Sequence, residues 1–293
     1  MVDAEKISSL IKLLDDPDEN VFNHIKDEIC SFGPDVIPYL ENAWETDHLG
    51  ILFQQRIENL IHDIQLDSLK SELKKWKTQG GQDLMEGMIL IAKYQYPDID
   101  PKSVYETLEA IKKDIWVELH EDLTALEKIK VINHILYDVY EFKANKKDYH
   151  APQNSYINNA LEYKKSNPIG LSVIYCYLAQ QLGIPILGVN LPRHFVLCYL
   201  DLYGKDPNTP IEREDILFYI NPFANGSIFN DMEIEQFIKQ LDISQHDAFY
   251  LPCDNESIIL RTLNNLQYSY EKLGYTDKVN DIVYLREVFS GSA

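Results

Sequence analysis

From Asn167 to Gly183 the chain reads Asn-Pro-Ile-Gly-Leu-Ser-Val-Ile-Tyr-Cys-Tyr-Leu-Ala-Gln-Gln-Leu-Gly, and this stretch limits what the rest can be. Asn167 is a good N-cap, Pro168 suits the first helical position, and Gly183 supplies the left-handed residue that ends a helix. The segment between them is one buried helix. Ile184 to Tyr199 follows as strand, turn and strand, with His194 opening the second strand, and Ile216 to Phe223 is a further β-rich run containing Asn221-Pro222. With helical periodicity elsewhere, the fold class expected is α+β and predominantly helical.

A protein of 293 residues suits one large or two modest domains, and its 45% hydrophobic content is ample for a core. No run approaches the roughly 20 apolar residues that span a bilayer, and the start, Met-Val-Asp-Ala-Glu-Lys, has no signal-peptide character, so a soluble cytoplasmic protein is expected. A net charge of -20 argues against nucleic acid and anionic membrane as partners, because both are held mainly through clustered Lys and Arg. Cys30, Cys176, Cys198 and Cys253 lack paired metal spacing and read as free thiols, mostly in apolar runs.

Ile7, Leu10, Ile11 and Leu14 mark a first helix, broken by Asp15-Asp16-Pro17-Asp18; Asn20 to Phe32 is a second, stopped by Gly33-Pro34; a third starts at Asp35, and Ile51 to Ile64 is a fourth. This alternation is HEAT-like and sets residues 1–77 apart. Thr78-Gln-Gly-Gly81 is the candidate linker. The region 82–245 then holds helices over Gln82 to Tyr94, after the Asp100-Pro101 cap, and from the Thr124–Glu127 capping box through Tyr140. Lys143 to Gln153 is a polar loop, Asn154 or Ser155 caps the next helix, and Asn230 or Asp231 caps another through Leu241. The region 246–293 is a tetratricopeptide-like hairpin, two helices around Gly274.

A capped helix, a strand beginning with His and a strand ending in Asn-Pro appear in the same order as in papain-like and transglutaminase-like Cys-His-Asp/Asn hydrolases. The segments Asp83 to Ala92, Tyr96-Pro97-Asp98, Asn154 to Asn158, Asn167 to Leu171, Leu182-Gly183 and Gly188 to Phe195 resemble the bacterial SirB-type branch of the transglutaminase-like superfamily. The resemblance implies a papain/transglutaminase-like core with helical flanks, His194 as the triad histidine and Asn221 as its orienting partner.

In such enzymes the nucleophile stands in the first turn of the central helix, where unpaired N–H groups and the helix dipole lower a thiol pKa. Here that turn is Pro168-Ile169-Gly170-Leu171, with no Cys, Ser or Thr. Cys176 lies about 12 Å further along the helix and Cys198 about 13 Å along the strand from His194, beyond the ~3 Å reach a base needs. Ser172 is the nearest hydroxyl, with a bond back to the preceding turn as its ordinary role. The expectation is a domain without its catalytic cysteine that binds a peptide or protein segment in a cleft formed by Asn154, Asn167, Pro168, Gly170, Arg193 and His194. One alternative is an active peptidase, amidase or acyltransferase using Ser172, His194 and Asn221; another is an interaction protein acting through its helical flanks. No cofactor is expected, and no metal, since the adjacent His/Asp pairs point apart.

Overall fold

A computed structural model describes residues 4–46, 50–206 and 209–290. The protein divides into two compact units, Met1–Lys75 and Trp76–Ala293. In the first, α1 (Ala4–Leu13), α2 (Glu19–Cys30), α3 (Ile37–Thr46) and the start of α4 (Ile51–Thr78) enclose a core of Ile7, Leu14, Ile29, Leu40, Phe53 and Ile57. The break after α1 is held from a distance. Buried Arg56 donates to the carbonyls of Leu14 and Asp16, both at 2.8 Å, and its guanidinium lies over the Phe22 ring. Carbonyls orphaned at a helix end thus receive a charged donor.

The expected fourth helix ends at Ile64, but α4 continues to Thr78 because Leu69, Leu73 and Trp76 prolong its buried stripe. Thr78 closes α4, and exposed Gln79 and Gly80 lead to buried Gly81: Gly80 and Gly81 have positive φ, and Gly81 lies against the Trp76 ring. The Trp76 indole donates to the Asp83 carbonyl at 2.8 Å.

In the second unit, α5 (Leu84–Lys93), α6 (Pro101–Glu118) and α7 (Ala125–Asn133) start at Asp83, Asp100 and Thr124, each capping with its own side chain. The helix expected through Tyr140 widens at His134–Val139 into π-helical turns, closed by Tyr140 N–H to the Ile135 carbonyl at 2.9 Å. Next come β1 (Lys143–Ala144), α8 (Ile157–Tyr163) and β2 (Lys165–Ser166), with β1 and β2 parallel. Tyr156, rather than Asn154 or Ser155, precedes α8, because both of those side chains are engaged elsewhere.

The central helix α9 (Pro168–Gln181) is buried from Pro168 to Cys176 and at Leu178 and Ala179, with Gln180 and Gln181 exposed at its end, and Gly183 follows it at φ +70°. It packs on an antiparallel sheet ordered β3 (Ile186–Val189), β4 (Val196–Leu200), β5 (Ile216–Asn221) and β6 (Ser227–Phe229). All five β4 residues are buried. Val196, Cys198 and Leu200 share a core with Ile234 and Ile238 of α10 (Asp231–Gln240), and the alternate residues face the α9 side. The hairpin of α11 (Asn255–Leu273) and α12 (Thr276–Arg286) belongs to this same unit, with α11 against α5. Tyr270 of α11 meets the Tyr156 hydroxyl at 2.6 Å in the interior. Among the described residues no helix is long and apolar enough to cross a membrane.

Candidate functional site

The start of α9 is built by a polar knot. Asn167 accepts the Gly170 N–H at 2.9 Å through its side chain and donates to Ser155 Oγ at 3.2 Å. Pro168 brings no N–H, so the Ile169 N–H is the donor of the first turn with no partner among the described residues. Behind it, Ser166 Oγ donates to the Asn154 carbonyl at 2.6 Å. Gly170 is needed for that packing: a Cβ there would collide with Ser166 Oγ. Asn154 donates to the carbonyls of Asp148 at 2.7 Å and Tyr149 at 3.0 Å, folding the 145–149 loop inward.

His194 stands at the end of the β3–β4 turn, two residues before β4, half-buried, after Arg193 in the left-handed conformation at φ +60°. The side chain of Asn221, the last residue of β5, lies beside the His194 imidazole and favours its protonated form. The turn after Asn221 is clamped by the π-helical segment and the residue before it. Tyr137 donates to the Pro222 carbonyl and Asn133 to that of Gly226, both at 3.0 Å, while Tyr175 of α9 donates to Asn133 Oδ1 at 3.0 Å. The widened turns, the central helix and the Asn221 turn are thereby joined. Burial lowers the His194 pKa, opposed by the Asn221 side chain and reinforced by the Arg261 charge, which favours the neutral ring.

These parts border a cavity of about 610 Å³. Asn167, Pro168 and Ile169 form one wall, and Arg193, His194 and Phe195 another. Arg261, Asn265, Tyr268 and Ser269 of α11 form a third wall, and Tyr149 and His150 complete the rim. Phe223, Tyr149, His150 and Tyr268 make successive edge-to-face contacts at 5.7, 4.9 and 5.1 Å between centroids. Arg261 Nη1 donates to Asn190 Oδ1 at 3.0 Å and the Leu191 carbonyl at 3.3 Å, tying α11 to the turn that carries Arg193 and His194.

Of the residues expected at the cleft, Asn167, Pro168, Arg193 and His194 line the cavity, Asn221 stands behind His194, and Asn154 and Gly170 lie outside the lining as supports. Ser172 is fully buried and does not line the cavity. Its hydroxyl has no partner among the described residues, so the expected bond to the preceding turn is not formed. Cys176 is sealed in the core, its thiol donating to the Ile186 carbonyl at 3.2 Å and its pKa pushed well up by burial. Burial raises the Cys198 thiol to about 12. No cysteine lines the cavity among the described residues, and its one aliphatic hydroxyl there, Ser269, donates to the Asn265 carbonyl of its own helix at 2.8 Å. Sequence reasoning missed the α11 wall, although Arg261, Asn265 and Tyr268 are a polar stripe at i, i+4 and i+7 beside the apolar one. The loop with Tyr149 and His150, whose polar sequence suggests chiefly a connection, borders the cavity. Among the described residues no group of three or more His, Cys, Asp or Glu side chains could hold a metal ion.

A family model described as transglutaminase-like superfamily matches residues 102–264, more than half of the sequence. A UPF0162 protein of Xylella fastidiosa (strain 9a5c) is 29% identical over 202 residues, 67% of each of the two proteins. UPF0162 protein YchA of Escherichia coli (strain K12) is 24% identical over 189 residues, 64% of this sequence and 66% of that one. Human F-box only protein 21 is 31% identical over 138 residues, 47% of this sequence but 21% of that protein. No solved structure matches. The match runs from α6 to the first half of α11, taking in the Pro168 helix, the His194 turn, Asn221 and Arg261, and with it the protein belongs to the transglutaminase-like superfamily.

Proposed function

We propose that this transglutaminase-like domain lacks a working catalytic cysteine and acts as a binding module, its cavity taking a peptide or protein segment. The observation that carries the reading is Pro168 at the first position of α9, on the same cavity as His194 with Asn221 behind it. A base and its orienting amide are present where an attacking atom is not, and an acyl transfer needs all three roles filled. The cavity walls suit a peptide segment: polar groups from Asn167, Arg193, His194, Arg261 and Asn265, and Tyr149, Tyr268 and Phe195 for apolar contact. In this reading residues 1–77 are a HEAT-like helical region, the hairpin completes the cleft, and the protein works in the cytoplasm.

The test is a peptide array probed with the full-length protein alongside its His194→Ala variant. Selective capture that weakens in the variant supports the module. Labelling of the folded protein by a fluorophosphonate or iodoacetamide that disappears in Ser172→Ala, Ser269→Ala or His194→Ala would instead establish a displaced nucleophile.

A further inference from the structure

The sequence has 47 acidic and 27 basic residues, yet the described lining of the cavity holds two arginines and no carboxylate. Neither arginine is neutralised within the described residues. Arg193 is exposed with no hydrogen bond or ion pair, and Arg261 donates only to the neutral oxygens of Asn190 and Leu191. His194 lines the same cavity, as does Ile169, whose N–H is unclaimed among the described residues. Arg261 is partly desolvated with no counter-charge, which is costly, and a guanidinium offers a fork that a carboxylate meets with two parallel hydrogen bonds. Arg193, exposed on the same cavity, keeps a left-handed backbone that a residue with a Cβ adopts only at a cost of about 1 kcal/mol or more.

We infer that the cavity selects its peptide by a carboxylate, held between Arg193 and Arg261, with the adjoining residues of the segment against Tyr149 and Tyr268. The inference rests on the binding-module reading and names what that module recognises. A carboxylate reaches such a site as the C-terminus of a polypeptide or as an Asp or Glu side group. The aromatic rim favours a peptide over a bare inorganic anion, since an inorganic ion would leave the rings uncovered.

The experiment uses the full-length protein and an array of octapeptides in three forms: free C-terminus, amidated C-terminus, and amidated with every Asp and Glu replaced by Asn and Gln. Affinities are then measured by fluorescence anisotropy for the captured sequences. The expected result is a preference of about tenfold or more for carboxylate-bearing forms. That preference collapses in Arg193→Gln and is partly retained in Arg261→Lys, which keeps the charge while losing the fork. The first two forms separate a terminal from a side-group carboxylate. Equal binding of all three forms, unaffected by Arg193→Gln, overturns carboxylate selection while leaving the binding module standing. Capture of no peptide in any form defeats the module itself. Tighter binding of phosphorylated peptides than of any carboxylate form also overturns the assignment.

Discussion

Asn221 Oδ1 accepts the Phe223 N–H at 3.1 Å, and the same side chain lies beside the His194 imidazole. The backbone turn thus sets the amide that the ring faces. That amide favours the protonated imidazole, while burial disfavours it more strongly. Asn221→Ala should therefore lower the His194 pKa further and Asn221→Asp should raise it, read from the imidazole carbon-bound protons in an NMR titration.

A histidine whose pKa is lowered by folding is protonated first in the unfolded state. Stability should fall as pH drops below the ordinary histidine value near 6.5 and level off below the folded pKa. His194→Gln should flatten this slope between pH 7 and 5 in urea unfolding series. An unchanged slope would mean that His194 is not the group responsible.

Pro168→Cys places a thiol at the start of α9, beside the unclaimed Ile169 N–H and on the cavity with His194. A helix N-terminus and a nearby histidine lower a thiol pKa below about 8.5. Iodoacetamide at pH 7 should alkylate this thiol at least roughly tenfold faster than the native cysteines, and His194→Ala should slow it. Burial holds Cys198 and Cys253 at about 12, which keeps the background low.

Gly226 has φ +70°, and a Cβ there would strike the Asn133 side chain that holds the Asn221 turn. Gly226→Ala combines left-handed strain with overpacking and should cost roughly 2–4 kcal/mol by chemical denaturation. Gly170→Ala, which displaces Ser166 from the Asn154 carbonyl, should cost roughly 1–3 kcal/mol.

Arg193→Gly should act in the opposite direction on stability, raising it by roughly 0.5–1 kcal/mol. Relief at φ +60° outweighs the extra freedom glycine has when unfolded. The same change should weaken ligand capture, and denaturation and anisotropy on one preparation test both arms.

What the sequence disclosed was local. Asn167, Pro168 and Gly183 bound the central helix because caps act over a few residues, and the Thr124–Glu127 box marks α7 for the same reason. The order of Pro168, His194 and Asn221 was likewise visible, since Pro168 opens α9, His194 lies in the turn just ahead of β4 and Asn221 closes β5. Contacts made at long range were not. The π-helical turns after Asn133 owe their place to Pro222 and Gly226, more than 80 residues later. Asn154 looked like a helix cap, but its amide is taken by Asp148 and Tyr149, and the three-residue β6 is too short to show alternation. The α11 wall was hidden because its polar stripe also reads as a solvated face.

Arg261 stitches α11 to Asn190 and Leu191, so the far side of the cavity is supplied by a helix that follows the sheet in sequence. A fragment ending before residue 255 would lose Ile259, Leu263 and Leu266 together with Arg261, so one helix supplies both a wall of the cavity and the core beneath it. Core and wall therefore stand or fall together.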